Sequence, residues 1–221
     1  MDDASATGSA DTGRIPGSYK RAFFLGVLNG ALWQMGMSFM EPSTVLPAFV
    51  NELTQSRLAV GIVSAVALAG WMLPQLVVAN YVQVMPRKLP VYRAMAVVRM
   101  MSLCAVIASL YLLGGNPRLL LPLFVLFFAM FTFAGGAGGI SFMDVVAKTI
   151  PPYRIGSFFG QRQLYGGVLG IAAAVVVRYV LREESALVFP RNYMHLFIMG
   201  AAAIGAGVLC FALINEPPGA V

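Results

Sequence analysis

The chain has 221 residues, of which 59% are hydrophobic and only 11% are charged, and its mean hydropathy is +0.79. Its formal net charge of +6 would suit a nucleic-acid partner, but the basic residues lie in short connections between long apolar runs and form no basic face. This composition excludes a soluble domain, whose helices are apolar on one side only. It predicts an all-α integral membrane protein that contacts the lipid bilayer and no nucleic acid.

Six apolar runs follow one another along the chain, each long enough to cross a bilayer. About 20 apolar residues, at ~1.5 Å rise per residue, span a hydrocarbon core of ~30 Å. Residues 1–18 are small and polar and are expected to form a disordered tail, and 217–221 are expected to begin a central loop or a C-terminal tail. The pattern predicts a bundle over 19–216 with six transmembrane helices at about 22–48, 58–85, 91–114, 119–146, 158–181 and 193–214.

The Lys and Arg residues at the ends of the predicted helices are unequally divided between the two sides of the membrane. One side has nine, namely Arg14, Lys20, Arg21, Arg87, Lys88, Arg93, Lys148, Arg154 and Arg162. The other side has five, namely Arg57, Arg118, Arg178, Arg182 and Arg191. Because an excess of basic residues marks the cytoplasmic side, both termini are expected in the cytoplasm, with the bundle in a plasma (bacterial inner) membrane.

Glycine pairs with three residues between them occur in three of the predicted helices. The pairs are Gly26 and Gly30, Gly135 and Gly139, and Gly166 and Gly170. This spacing is typical of membrane helices that cross closely. The run 135–139, Gly-Gly-Ala-Gly-Gly, also admits a second interpretation, a bendable segment that lets a cavity open and close.

Several polar and aromatic residues lie at the predicted membrane depth, where polar side chains normally face the bundle interior or a water-filled cavity. Asn29 and Trp33 share one face of the first helix by their spacing. For each residue, hydrogen bonding between helices is the alternative to substrate contact. The candidates for a substrate cavity are Asn29, Trp33, Gln34, Gln75, Asn80 and Gln163.

Two charged residues are also predicted within or near the membrane. Glu41 precedes Pro42 near the outer end of the first helix, and it is the candidate for a coupling carboxylate. Arg99 lies about two turns into the third predicted helix, so its long side chain is expected to snorkel to the inner surface.

Two connections resemble those of the major facilitator superfamily. Residues 79–88, Ala-Asn-Tyr-Val-Gln-Val-Met-Pro-Arg-Lys, are similar to its cytoplasmic loop signature Gly-x-x-x-Asp-Arg-x-Gly-Arg-Lys, of which the final basic pair is kept. In 144–162 an acidic residue ends the fourth helix, and an Ile-Pro then Arg-Gly turn enters the fifth. The resemblance covers about 20–218 and implies the N-terminal six-helix half of a transporter, built from two three-helix inverted repeats.

The resemblance also implies a cytoplasmic gate. In that superfamily the loop cations pair with the acidic residue that ends the fourth helix, which here would join Arg87 or Lys88 to Asp144, with Arg154 in the following turn. An ordinary interfacial salt bridge is the alternative. The superfamily's helix-four arginine and its antiporter Gly-Pro pair have no counterpart, so the coupling ion and the direction of transport stay open.

The leading hypothesis is secondary transport of a small molecule of unknown type by alternating access. Its site requires a second six-helix half, which would be a second copy, a separate chain or a missing C-terminal part. The alternative is a non-transporting membrane subunit or assembly factor packed against a partner complex. No enzyme, cofactor or metal site is predicted, because no nucleophile lies beside a base and Cys104, Cys210 and His195 have no partners at ligand spacing.

Overall fold

The computed structural model describes residues 18–83 and 85–217, and in that part the chain is all helical, without strands. The predicted tail over 1–18 lies outside the described residues, except for Ser18, where the first helix begins. The predicted C-terminal segment also lies outside them from residue 218 onward. The described helices are α1 (Ser18–Ser38), α2 (Val45–Leu53), α3 (Arg57–Gln83), α4 (Leu89–Leu113), α5 (Pro117–Thr149), α6 (Pro152–Leu181) and α7 (Arg191–Ala212).

Five of these helices, α3 to α7, are long and apolar enough to cross a membrane. They correspond to the second through sixth predicted runs, with ends that differ by two or three residues in most cases. The largest difference is at α6, which begins at Pro152 and not at 158. Proline suits the first turn of a helix, where its missing N–H leaves no bond unmade. The long apolar helices indicate a multi-pass membrane protein.

The first predicted run is not one helix, which corrects the expected span over 22–48. Helix α1 ends at Ser38, and α2 begins only at Val45. Pro42 lacks an N–H and disfavours helical backbone in the residue before it. The carbonyl oxygen of that residue, Glu41, instead accepts bonds from the N–H groups of Thr44 and Val45, at 3.3 and 3.0 Å. A turn therefore separates the two helices.

The short helix α2 closes one end of the bundle. Its residues Val45, Leu46, Phe49, Val50 and Leu53 are buried. The ring of Phe49 lies 4.7 Å from that of Phe124 in α5 and 5.4 Å from that of Phe197 in α7, measured between centroids. This aromatic packing holds α2 across the ends of both helices.

Four helix pairs make the most extensive contacts: α1 with α6, α1 with α7, α5 with α3, and α5 with α4. Helices α4 and α7 also pack together. Helices α1 and α5 are therefore each flanked by two long neighbours. Exchanging α1 with α5, α3 with α6 and α4 with α7 reproduces the same set of contacts. The α1–α6 contact then corresponds to α5–α3, the α1–α7 contact to α5–α4, and the α4–α7 contact to itself.

Glycines lie where helices approach most closely, as the spacing predicted. A Cβ atom on Gly26 would lie 2.6 Å from the Phe158 ring of α6. One on Gly136 would lie 2.9 Å from the backbone oxygen of Gly70 in α3. The close-packing interpretation is confirmed at Gly26 and within the run 135–139 at Gly136, because a Cβ atom at either position would force a neighbour to shift; one on Gly139 would be in ordinary contact with Trp71, at 3.8 Å.

Candidate functional site

Two adjoining cavities lie between the helices and share Trp33, Trp71 and Gly135 as walls. The first, of about 330 Å³, is the polar cavity, lined by Asn29, Trp33, Trp71, Gln75, Tyr92, Arg99, Gly135, Gly138, Gly139, Phe142, Met143 and Arg162. The second, of about 380 Å³, is the apolar cavity, lined by Trp33, Met37, Pro42, Ser64, Ala67, Leu68, Trp71, Phe128, Phe131, Thr132 and Gly135. The indole rings of Trp33 and Trp71, with centroids 6.2 Å apart, lie between the two.

The polar residues of the first cavity lie at the same depth in the bundle. Arg99 and Arg162 are each the eleventh residue of their helices, α4 and α6, and Asn29 is the twelfth residue of α1. These three helices begin at the same end of the bundle. At ~1.5 Å per residue the three side chains start ~16 Å along their helices from that end.

Arg162 projects into the bundle from α6. Its Nη1 donates to the backbone oxygen of Gly26 at 2.6 Å and to Oδ1 of Asn29 at 3.1 Å. Its guanidinium carbon lies 4.6 Å from the centroid of the Phe142 ring. Sequence analysis counted Arg162 among the cations of a connection, and this assignment is wrong because α6 begins ten residues earlier.

Asn29 connects helices on different sides of the bundle. Its side chain is 4% exposed, and its Nδ2 donates to the backbone oxygen of Gly207 at 2.9 Å and to the Tyr92 hydroxyl oxygen at 3.4 Å. Because its Oδ1 accepts from Arg162, this one amide holds α1, α4, α6 and α7 together around the polar cavity.

Arg99 is buried at 5% exposure, so the expectation that it snorkels to the surface is wrong. Its guanidinium carbon lies 4.7 Å from the centroid of the Trp33 ring. Its Nη2 is 3.4 Å from the backbone oxygen of Ala134. Its Nε is buried without a hydrogen-bond partner in the described part of the chain.

The guanidinium of Arg99 lies beside the glycine run of α5. A Cβ atom on Gly135 or Gly138 would lie 3.4 or 3.5 Å from Nη2 of Arg99, which is an ordinary contact distance. The run therefore forms the wall of the polar cavity next to this arginine.

The two arginines are the charged residues that line the polar cavity. None of its lining residues is Asp or Glu, and neither arginine takes part in a salt bridge with another described residue. Arginine remains protonated in proteins. The polar cavity thus carries two positive charges without a carboxylate in its described walls.

The other predicted cavity residues divide into two groups. Gln75 lines the polar cavity and donates from Nε2 to the backbone oxygen of Trp71 at 2.8 Å. Gln34 and Gln163 line neither cavity and are hydrogen-bonded to each other between α1 and α6. Asn80 is exposed near the end of α3.

Glu41 lies in the turn between α1 and α2, where it is partly buried. Its Oε1 accepts a bond from the Ser43 hydroxyl at 3.1 Å. The following residue, Pro42, lines the apolar cavity. Glu41 itself lines neither cavity.

A second cluster of charges lies at the end of the bundle where α3 ends and α4 begins. Asp144 accepts a hydrogen bond from Nζ of Lys88 and forms an ion pair with Nζ of Lys148, both at 2.9 Å. Glu216 accepts from Nζ of Lys148 at 3.0 Å and from the backbone N–H of Leu89 at 2.7 Å. We call these four side chains, Lys88, Asp144, Lys148 and Glu216, the charged end.

The structure shows which of the two loop cations, Arg87 or Lys88, pairs with Asp144. Lys88, and not Arg87, is paired with Asp144; Arg87 is exposed and joins no salt bridge among the described residues. Arg154 is exposed beside Tyr19 and Lys20. Of the positions in the loop signature, Val84 and the Gln83 side chain lie outside the described residues.

Glu216 was missed by sequence analysis, although its carboxylate is 2% exposed. The sequence gives a partial indication of this role, because Glu216 directly follows an apolar run and would need basic partners such as the two lysines of the charged end. Nothing in the sequence indicates that Glu216 reaches the backbone N–H groups at the start of α4.

Comparison of the chain with protein-family models, with curated proteins and with solved structures found no match. Its class, a multi-pass helical membrane protein, therefore rests on the length and composition of α3 to α7. In residues 18–83 and 85–217, no group of three His, Cys, Asp or Glu side chains is placed to hold a metal ion.

Proposed function

We propose that this chain is one six-span half of a secondary transporter that works by alternating access, with both termini in the cytoplasm of a bacterial inner membrane. The observation that carries the proposal is the polar cavity between the helices, lined by Asn29, Arg99 and Arg162 about 16 Å along α1, α4 and α6. Transporters of this kind bind their substrates near the bilayer midplane, at the interface of structural repeats. Here the walls come from α1, α3, α4, α5 and α6.

The helix packing supports an arrangement of two three-helix repeats. In this arrangement α1, α3 and α4 form one repeat and α5, α6 and α7 form the other. The contacts of α1 with α6 and α7 then correspond to those of α5 with α3 and α4. Related repeats explain this correspondence directly, since each pair of equivalent helices meets equivalent neighbours.

Helix α1 would be the sixth span. Its 21 residues measure ~31 Å, about the thickness of a hydrocarbon core. It is less apolar than α3 to α7 because it carries Asn29, Gln34 and Ser38. Contacts with α6 and α7 keep most of this helix away from lipid, so its polar side chains have protein or cavity neighbours.

The charged end would be the inner gate. It joins the start of α4, the end of α5 and the segment after α7, which belong to both proposed repeats. Charge-assisted hydrogen bonds at a boundary with water are strong enough to hold one state and can be exchanged when helices shift. Their release would open the polar cavity to the cytoplasm.

The second half of the transporter would cover α3 and α6, the two most exposed of the long helices. Their exposed large apolar side chains include Leu68, Met72, Leu76, Leu164, Val168 and Ile171. A second copy of the chain or a separate six-helix bundle would complete a cavity that is only partly enclosed here. The mass of the purified complex in detergent, compared with 23.6 kDa for one chain, tells which assembly forms.

Cysteine accessibility tests the alternating-access proposal. Cys104 and Cys210 are replaced by serine, and single cysteines are introduced as Gln75→Cys in the polar cavity and Ser64→Cys in the apolar cavity. A membrane-impermeant maleimide is applied from each side of oriented vesicles. We expect Asp144→Asn to raise severalfold the labelling of Gln75→Cys from the inner side and to lower that of Ser64→Cys from the outer side. Glu183→Gln, which removes an exposed carboxylate from the α6–α7 connection, is the matched control.

Labelling that is identical in the Asp144→Asn and Glu183→Gln backgrounds would contradict the gate and alternating access with it. Protection of both cysteines from both sides, together with a co-purifying protein of another fold, would favour a non-transporting subunit.

A further inference from the structure

We propose that the polar cavity binds a small organic carboxylate, whose charge pairs with Arg99 and Arg162 and whose apolar body contacts Trp33 and Trp71. The inference deepens the proposed function by naming a substrate class, and only the statement that the carboxylate is transported rests on that function. The binding itself rests on the geometry of the polar cavity.

The polar cavity has two positive charges that no carboxylate in its described walls balances. A single arginine at the centre of a membrane costs about 3 kcal/mol or more when it has no partner, and two at equal depth repel each other. The three salt bridges among described residues all lie at the charged end. A ligand that carries negative charge would compensate both guanidinium groups, because both line the same cavity.

Both arginines also have N–H groups that no described residue uses as hydrogen-bond donors. Nε of Arg99 is buried and unpartnered. The hydrogen bonds of Arg162 within the described chain are both made by Nη1, which leaves Nη2. Planar guanidinium groups with free donors match the geometry of a carboxylate, and Gln75 adds an amide to the same walls.

Both arginines of the polar cavity stack on aromatic rings. Arg99 lies over Trp33, and Arg162 lies over Phe142 and Phe158. A cation–π contact contributes roughly 0.5–2 kcal/mol, which is less than the cost of the buried charge. Stacking therefore fixes the direction of each guanidinium and leaves its charge to be neutralised by a ligand.

The shape of the polar cavity leaves an aromatic surface for the apolar part of a ligand. Trp33 and Trp71 form a wall that the polar and apolar cavities share. A ligand with its carboxylate between the arginines can therefore place a ring or branched chain against the indoles. This arrangement favours a carboxylate with an apolar body over a small inorganic anion.

The chain offers a direct readout, because its two tryptophans both line the cavity. The purified full chain in nanodiscs is titrated with benzoate, with benzamide as the uncharged equivalent, and with inorganic phosphate. We expect a saturable change of tryptophan fluorescence with benzoate and at least roughly ten-fold weaker binding of benzamide and phosphate. Arg99→Gln and Arg162→Gln should each weaken benzoate binding roughly ten- to hundred-fold, since each removes a charged hydrogen-bond donor.

Arg118→Gln is the matched control, because Arg118 is exposed at the start of α5, and its benzoate affinity should equal that of the unchanged chain. The melting temperature, as a second measurement, tests whether each variant is folded. Without ligand, Arg99→Gln should melt at or above the temperature of the unchanged chain, because it removes a buried unpaired charge. Benzoate should raise the melting temperature of the unchanged chain and of Arg118→Gln, and it should raise that of Arg99→Gln much less.

Equal binding of benzoate and benzamide, unchanged benzoate affinity in both glutamine variants, or no saturable response to benzoate overturns the inference. These outcomes are distinct from failure of the proposed function. Benzoate binding without any effect of Asp144→Asn on cysteine labelling would leave a carboxylate-binding membrane protein that does not alternate. Labelling that alternates without carboxylate selectivity would leave a transporter for another substrate class.

Discussion

The charged end and the polar cavity both contain two cations, yet they differ in what surrounds those cations. At the charged end, Lys88 and Lys148 meet two carboxylates, and each lysine forms at least one bond of 2.9 or 3.0 Å. In the polar cavity, Arg99 and Arg162 meet rings, carbonyl oxygens and one amide. One cluster is neutral as built, and the other is positively charged.

This difference distinguishes the proposed gate from the proposed binding site. A neutral, hydrogen-bonded cluster connects helices and loses stability when one member is removed, because its partners stay behind unpaired. A buried charge without a counterion, such as Arg99, gains from a charged partner that arrives later. Substitutions at Glu216 and at Arg99 are therefore expected to change stability in opposite directions.

The largest expected effect is at Glu216. Glu216→Ala leaves the N–H groups of Lys88 and Leu89 without their acceptor, and Lys148 keeps only one ion pair, with Asp144. We expect a loss of about 3 kcal/mol in the free energy of unfolding, measured by titration with SDS. Glu183→Gln in the exposed connection should change it by less than ~0.5 kcal/mol. Equal midpoints for the two variants would show that the charged end does not stabilise the bundle.

A smaller loss is expected at Gly30, which tests how Arg162 is positioned. A Cβ atom at this site would lie 2.5 Å from Nε and 2.6 Å from the guanidinium carbon of Arg162. Gly30→Ala should therefore push the arginine aside, with a loss of about 2 kcal/mol in the same SDS titration. Gly167→Ala on α6 is the control, since its Cβ meets no atom within 4 Å. If both alanines behave alike, the space around Arg162 is not restricted by α1.

The smallest effect separates the two basic residues of the loop signature. Lys88→Gln removes a salt bridge of 2.9 Å to Asp144 and should cost about 1 kcal/mol, whereas Arg87→Gln should be neutral. The cost for Lys88→Gln should shrink at high salt, because the charged end is partly exposed. The reverse ranking in the SDS titration would instead assign the pairing with Asp144 to Arg87.

Much of the fold was predictable because apolar length determines where membrane helices lie. The ends of α3, α4, α5 and α7 agree with the predicted runs to within three residues. The break between α1 and α2 was not predicted, although Pro42 was visible. Hydropathy alone does not tell whether a proline bends a helix or ends it, and here the buried packing of α2 on α5 and α7 decides the outcome.

The candidate site was predictable in part. Asn29, Trp33 and Gln75 were selected for their polarity or ring at membrane depth, and they do line the polar cavity. Gln34, Gln163 and Asn80 were selected by the same argument and do not line it. Polarity marks a residue that needs a partner, and a neighbouring amide satisfies that need as well as a cavity does.

The sequence by itself determined that the chain is a bundle of long apolar helices with most charged residues near their ends, and it left Arg87 or Lys88 as the expected partner of Asp144. Only the tertiary structure decided that Arg99 and Arg162 share a cavity and that Glu216 joins the charged end. Helices that are apolar on all sides have no polar face to fix their rotation. The packing of each helix on its neighbours fixes it instead, with α4 on α5 and α7 and α6 on α1, and in this packing both arginines line the polar cavity.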